Sequence, residues 1–239
     1  MSSLPISLPC LVVRDERGLQ LFGTHLEFVK CVAENWIDHC FGLAEDDEGK
    51  IVTINHNPSS EDSTTKITAP NTTDVFFIDK ISDRVLKRIE MVDLIIDAAE
   101  SLQNQNLQPE MSFCKFLAFR NKKLYVVDHG LDCIFILSKD GTESEMFGRR
   151  GNNGGEFRDP AGIVVDDDGT MIVVDSRNHR LQLIDDKLRF AGMVEVSMNL
   201  MICKSSMTCL LRLILPSPGP PEYSLSRPTS SSPIIRESR

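Results

Sequence analysis

The chain repeats itself, and the period of the repeat limits the folds open to it more than any motif does. Residues 42–55, GLAEDDEGKIVTIN, lie without a gap over residues 162–175, GIVVDDDGTMIVVD, with Gly42 on Gly162, Asp46 on Asp166, Gly49 on Gly169 and Ile51 on Met171. Residues 124–141 lie in the same way over residues 171–188, which sets these two copies roughly 47 residues apart. A third alignment places LQLFGTHLEFVKCV, residues 19–32, over LQLIDDKLRFAGMV, residues 181–194.

One unit assembles from these overlaps as four short strands. The first covers residues 162–165 and ends in the acidic turn Asp166, Asp167, Asp168, Gly169; the second covers 171–174 and ends in a polar knot at Asn178, His179 and Arg180. The third covers 181–184 and the fourth about 190–196. Four antiparallel strands returning every forty to fifty residues are the sequence sign of propeller blades, sheets that bury their faces only by stacking on neighbours around an axis. The fold class is therefore all-β, a partial β-propeller of about three blades plus part of another, the first copy starting at its second strand near Leu11. A helix interrupts the strands at 90–105, where Val92, Ile95, Ile96, Ala99 and Leu102 form one apolar stripe, and it is expected to cap the disc between the second and third blades.

Residues 147–185, FGRRGNNGGEFRDPAGIVVDDDGTMIVVDSRNHRLQLID, resemble an NHL repeat, the blade of the propellers at the carboxyl end of tripartite-motif and related RING-finger proteins. The resemblance rests on the F-G opening, the glycine-rich bend, F-x-x-P-x-G before the first strand, D-x-x-G in the first hairpin and V-x-D-S-x-N-H-R in the second. It implies a repeat motif of Gly162, Asp166, Gly169, Asp175, Asn178 and His179. It also implies a non-catalytic recognition module that selects protein substrates for ubiquitin transfer by a RING domain outside this chain, or, as the alternative, one that binds RNA. Such rings usually close with six blades, so residues 10–196 are expected to be a propeller segment behind a short extension at 1–9. The chain as a whole then reads as a fragment, a truncated isoform or an unspliced gene product. Residues 197–239, rich in Ser and Pro, read as a disordered tail whose Pro220, Pro221 and Tyr223 match the P-P-x-Y ligand of WW domains.

Composition narrows the function further. A formal charge of −9 argues against a whole-chain grip on nucleic acid or anionic lipid. Local cations gather between blades, with Arg149, Arg150, Arg158, Arg177 and Arg180 around the last repeat and Arg120, Lys122 and Lys123 one copy earlier. Together they predict a basic rim for an acidic protein segment or for RNA. The seven cysteines include no C-x-x-C pair and read as reduced, buried thiols of a cytoplasmic protein; Cys31, His39 and Cys40 are a weak zinc set. The acidic turns at 46–49 and 166–169 resemble the start of a calcium loop but lack its distal glutamate. No metal or other cofactor is expected. The sequence has no G-x-S-x-G, H-E-x-x-H or phosphate loop and no apolar run long enough for a membrane span. The knot itself reads as a structural turn, with Asn178 expected in left-handed geometry and Asp175 and Ser176 bonding turn amides.

Overall fold

The computed structural model describes residues 11–15, 18–33, 40–57, 72–103 and 107–195. They form four antiparallel sheets in chain order. The first holds β1 (Leu11–Asp15), β2 (Gly18–Phe22) and β3 (Phe28–Val32). The second holds β4 (Cys40–Glu45), β5 (Ile51–Asn57), β6 (Thr72–Asp79) and β7 (Arg84–Glu90), followed by the helix α1 (Met91–Ser101). The third holds β8 (Cys114–Arg120), β9 (Lys123–Asp128), β10 (Cys133–Ser138) and β11 (Ser144–Phe147). The fourth holds β12 (Pro160–Val165), β13 (Met171–Asp175), β14 (Arg180–Ile184) and β15 (Phe190–Glu195). Each sheet is a simple meander, so the described residues make three complete blades and three strands of another, a partial β-propeller as the repeat predicts.

The second strand of each blade explains the apolar runs. In β9, Leu124 and Val126 pack against the second blade while Tyr125 and Val127 pack against the fourth, so a strand buried on both faces has no polar alternation. All five residues of β13 are buried. Three interblade cores follow: Leu19, Leu21 and Val32 against Ile51 and Ile78; Val52, Ile54 and Phe77 against Leu124, Val126 and Phe135; Tyr125, Val127 and Ile134 against Ile163, Met171 and Val173.

The first strands β4, β8 and β12 lie side by side along the axis. Each carries a bulge near its start, between Phe41 and Leu43, Cys114 and Phe116, and Pro160 and Ile163. Gly42 sits in the first of these with φ +58, where an added Cβ would lie 3.2 Å from the Lys115 carbonyl oxygen and the Leu117 nitrogen. Backbone meets backbone there, and only glycine fits.

One expectation is corrected. The helix forms where predicted and joins the second blade to the third, but its buried face is Met91, Leu94 and Ile95, and Ile96 and Leu102 are exposed. Its apolar residues are numerous enough to draw two overlapping stripes, and docking against β6 and the third blade selects the one that begins at Met91. In the second blade β5 and β6 stay paired past Asn55↔Asp74 to His56↔Thr73 and Asn57↔Thr72. Residues 58–71, residues 1–10 with the N-terminal extension 1–9, and residues 196–239 with the tail's Pro220, Pro221 and Tyr223 lie outside the described residues.

Candidate partner-binding face

Antiparallel pairing gives the disc two unlike faces. The turns β4–β5, β8–β9, β10–β11 and β12–β13 lie on a hairpin face, and the turns β9–β10 and β13–β14 and the links between blades lie on a loop face. Arg120, Lys122 and Lys123 flank the β8–β9 hairpin, whereas Arg149, Arg150, Arg158 and Arg177 follow β11 or β13 on the loop face. A six-residue strand spans about 20 Å, so the single basic rim expected from sequence is two separated groups. The error came from reading hairpins and blade links as equivalent loops.

Most of these cations are also paired. Arg120 bridges to Asp167 of the next blade, where Asn121 Nδ2 donates to the Asp167 carbonyl at 2.9 Å. Arg149 places Nε and Nη2 at 3.0 and 2.8 Å from Glu156 Oε1, and the Asn153 amide, with this guanidinium second, holds the Glu156 carboxyl below its usual range. Arg177 pairs with Asp159, and Arg150 lies 3.9 Å from Asp132. Burial pushes the Asp132 carboxyl up, although the Asp159 amide donates to it at 2.7 Å. Arg158, Lys122 and Lys123 expose side chains with no carboxylate partner among the described residues.

Arg180 does not reach the surface. It is only 6% exposed, and its Nε donates to Asp175 Oδ2 at 2.8 Å inside the fourth blade. Fully buried Asp175 also accepts from Asn178 Nδ2 at 2.8 Å, Gln182 Nε2 at 2.9 Å and the Arg158 amide at 2.7 Å. Arg180 Nη2 reaches the carbonyls of Asn153 (2.7 Å) and Glu156 (3.0 Å), Asn178 reaches that of Gly151 (2.9 Å), and Gln182 exchanges bonds with Glu156 and Gly155. A buried cation has little else to do than satisfy these groups. The knot thus fastens the glycine-rich bend to the blade, and the left-handed residue is His179 (φ 53) rather than Asn178. Asp128 anchors the third blade in the same position, accepting from Ser112 Oγ and from the amides of Phe113, Gly130 and Leu131.

The acidic turns close as hairpins through their own side chains and glycines. Asp46 Oδ1 accepts from the amides of Glu48 and Lys50, Asp166 Oδ1 accepts from Thr170, and Gly49 and Gly169 close the turns at φ +78 and +90. The carboxylates of Asp46, Asp47 and Glu48 lie within 4.8 Å of one another. At their centre is the Lys139 ammonium from the next blade, 3.0 Å from Asp46 Oδ2 and 2.7 Å from Glu48 Oε1, so lysine fills the place a cation would take. Cys40, Cys114 and Cys133 are buried thiols in no disulfide, and His39 of the weak zinc set lies outside the described residues. Burial pushes the Cys114 and Cys133 thiols well up, which keeps them protonated and unreactive.

The cluster that sequence reading missed lies at the loop-face end of the first strands. Phe113, just before β8, meets Phe41 edge-on at 5.4 Å, His56 at 5.0 Å and His129 at 6.4 Å between ring centroids. The Lys115 ammonium stands 5.7–5.9 Å from the ring centroids of Phe41, Phe113 and Phe116, and the Arg14 guanidinium lies 5.2 Å from that of Phe41. His129 Nδ1 is 3.3 Å from the Pro160 carbonyl, which ties the cluster to the fourth blade. A signal did exist in the sequence. At the offset that aligns Leu124 with Met171, Lys115 falls on Gly162, so it stands in the bulge where the other blades carry glycine.

Residues 157–182 match the NHL repeat. That stretch runs from the end of the glycine-rich bend through β13 to Gln182 and includes the Asp175 anchor. No curated protein matches the sequence. Among solved structures, a luciferin-regenerating enzyme superposes with a TM-score of 0.51 at 17% identity, over 78% of this chain and 59% of that one. A protein of unknown function from Bacteroides caccae (TM-score 0.48, 10% identity, 78% of this chain and 57% of that one) and a streptogramin B lyase (0.46, 11%, 81% and 57%) are similar at a lower level. The chain spans less than three-fifths of the length of each. The likeness to the luciferin-regenerating enzyme concerns the fold alone.

Proposed function

We propose that this chain is a non-catalytic recognition module that binds a protein partner through its loop face, around Phe113 and Lys115. The observation that carries the reading is the half-buried cluster of Phe41, His56, Phe113, Lys115, Phe116 and His129 at the inner end of the blades, where aromatic surface and a cation meet solvent together. Aromatic side chains supply large contact area at small conformational cost, which suits a protein interface. The neighbouring rim supports the same reading, because its arginines are matched by Glu156, Asp132 and Asp159 and give a mixed-charge border rather than a phosphate track. An NHL repeat in the fourth blade fits a module of this kind. The finer reading, selection of substrates for ubiquitin transfer by a RING domain, rests on the resemblance of that blade alone.

The test places a photo-crosslinking amino acid at position 158 on the loop face or at position 122 on the hairpin face of the full chain. Discrete protein adducts are expected from position 158, lost on Phe113→Ser, and none from position 122. Adducts to protein only from position 122 overturn the choice of face. Oligouridylate binding that weakens steeply between two salt concentrations overturns protein recognition in favour of RNA.

A further inference from the structure

Lys115 is a cation held in an aromatic setting with no anion opposite it. Among the described residues it has no carboxylate partner, although Arg88, Arg120, Lys139, Arg149, Arg177 and Arg180 all have one. The residue is half-buried, and three rings at 5.7–5.9 Å surround its ammonium with apolar surface on the protein side, which leaves the charge directed at whatever covers them. The bulge between Cys114 and Phe116 aims the side chain there, at a register where Gly42 and Gly162 project nothing.

We propose, resting on the loop-face reading, that Lys115 anchors a side-chain carboxylate of the partner, an internal Asp or Glu flanked by aliphatic residues that cover Phe113 and Phe116. Charge complementarity selects an anion, and three features of the site select this source of it. The rings meet at 70–90°, so among the described residues no two of them form a parallel slot for a nucleobase. A chain-terminal carboxylate is captured by a nest of backbone amides, whereas here the donor is one ammonium. The net charge of −9 gives an acidic partner no long-range attraction, so the affinity is local and its salt dependence is shallow.

The experiment uses the full chain and an array of acetylated, amidated dodecapeptides in which a single Glu is moved through Leu, Phe and Ser backgrounds, with Gln in place of Glu as the paired control. The tightest pair is then measured in solution by fluorescence anisotropy. A charge-assisted bond in a partly desolvated site is worth roughly ten- to a hundredfold, so Glu peptides should bind better than Gln peptides by that factor. Lys115→Gln should erase the difference, Lys115→Arg should keep it, and Phe113→Ser should weaken both members of the pair. Equal binding of Glu and Gln peptides, or no binding by any peptide up to millimolar concentration, overturns the proposal. A difference that survives Lys115→Gln overturns it as well, while loss of binding on Phe113→Ser would then leave the loop-face reading standing. Binding indifferent to both changes removes that reading too. Decauridylate that outcompetes every peptide replaces the carboxylate by phosphate.

Discussion

Asp175→Ala should be among the most damaging single changes in the fourth blade. Its carboxylate takes four hydrogen bonds, from the Arg158 amide, Asn178, Arg180 and Gln182, and among the described residues it is the only anion that Arg180 touches. Truncation leaves a guanidinium that is 6% exposed with two carbonyls for company, and stranding one partner of a buried pair costs about 3–5 kcal/mol. For a chain of this size that corresponds to a fall in melting temperature of roughly 6–20 °C. Asp175→Asn keeps the size and one acceptor oxygen but loses the charge, and should cost about 1.5–3 kcal/mol. Asp128→Asn is the internal comparison. Asp128 accepts only from neutral donors, and the Ser112 hydroxyl can turn to accept from the new amide, so about 1 kcal/mol is expected there. Circular-dichroism melts of the three variants test the order. The double variant Asp175→Ala, Arg180→Met should be less destabilised than the sum of the two single changes by about 1–3 kcal/mol. An Asp175→Ala protein melting within about 2 °C of the parent, or strictly additive effects, would refute the claim that the knot is held by this pair.

Three further outcomes follow from the turns. Gly169→Val should cost about 1 kcal/mol or more, because φ +90 excludes a β-branched side chain, and added calcium should leave the melting temperature of the parent unchanged. The Lys139 ammonium, with Lys50, holds the Glu48 carboxyl down at about 2 against an ordinary 4.5, so its contribution is complete above about pH 4.5 and is lost as pH falls towards 2. Acid melting curves of Lys139→Met should therefore be flatter than the parent across that window, and parallel curves would show that the clasp adds nothing. Leu26 is 68% exposed at φ +62, so Leu26→Asn should raise stability by about 0.5–1 kcal/mol in chemical denaturation, and a loss would mean that the leucine has a packing role.

The blade pattern was legible because it is written in local terms. Residues 19–32 align with 181–194, and the structure gives both the same bulge, between Leu21 and Phe22 and between Leu183 and Ile184, and the same left-handed leucine at Leu26 and Leu188. The face of α1 was not legible, since Met91, Leu94 and Ile95 are chosen by what they dock on and not by their own spacing. Among the site residues, charge type could be read but direction could not. Arg180 and Arg177 are three residues apart, yet one lies inside the blade beside Asp175 and the other outside beside Asp159. The cluster at Phe113 escaped because its members come from two blades and span residues 41 to 129, so no short window of sequence contains them. Only the lysine in a glycine's place marked it.

The fastening of the fourth blade has a kinetic side. Every bond of the Asp175 anchor falls between Gly151 and Gln182, within one hairpin and the bend that precedes it. Short loops close quickly, and a unit whose ties are all short can nucleate by itself before the neighbouring sheets arrive. The third blade has a comparable local anchor at Asp128, whereas the second depends on β5 and β6 meeting across residues 58–71. Pulsed amide exchange during refolding should find protection first in β13 and β14 and last in β5 and β6, an order imposed by where each blade keeps its polar ties rather than by how apolar its strands are.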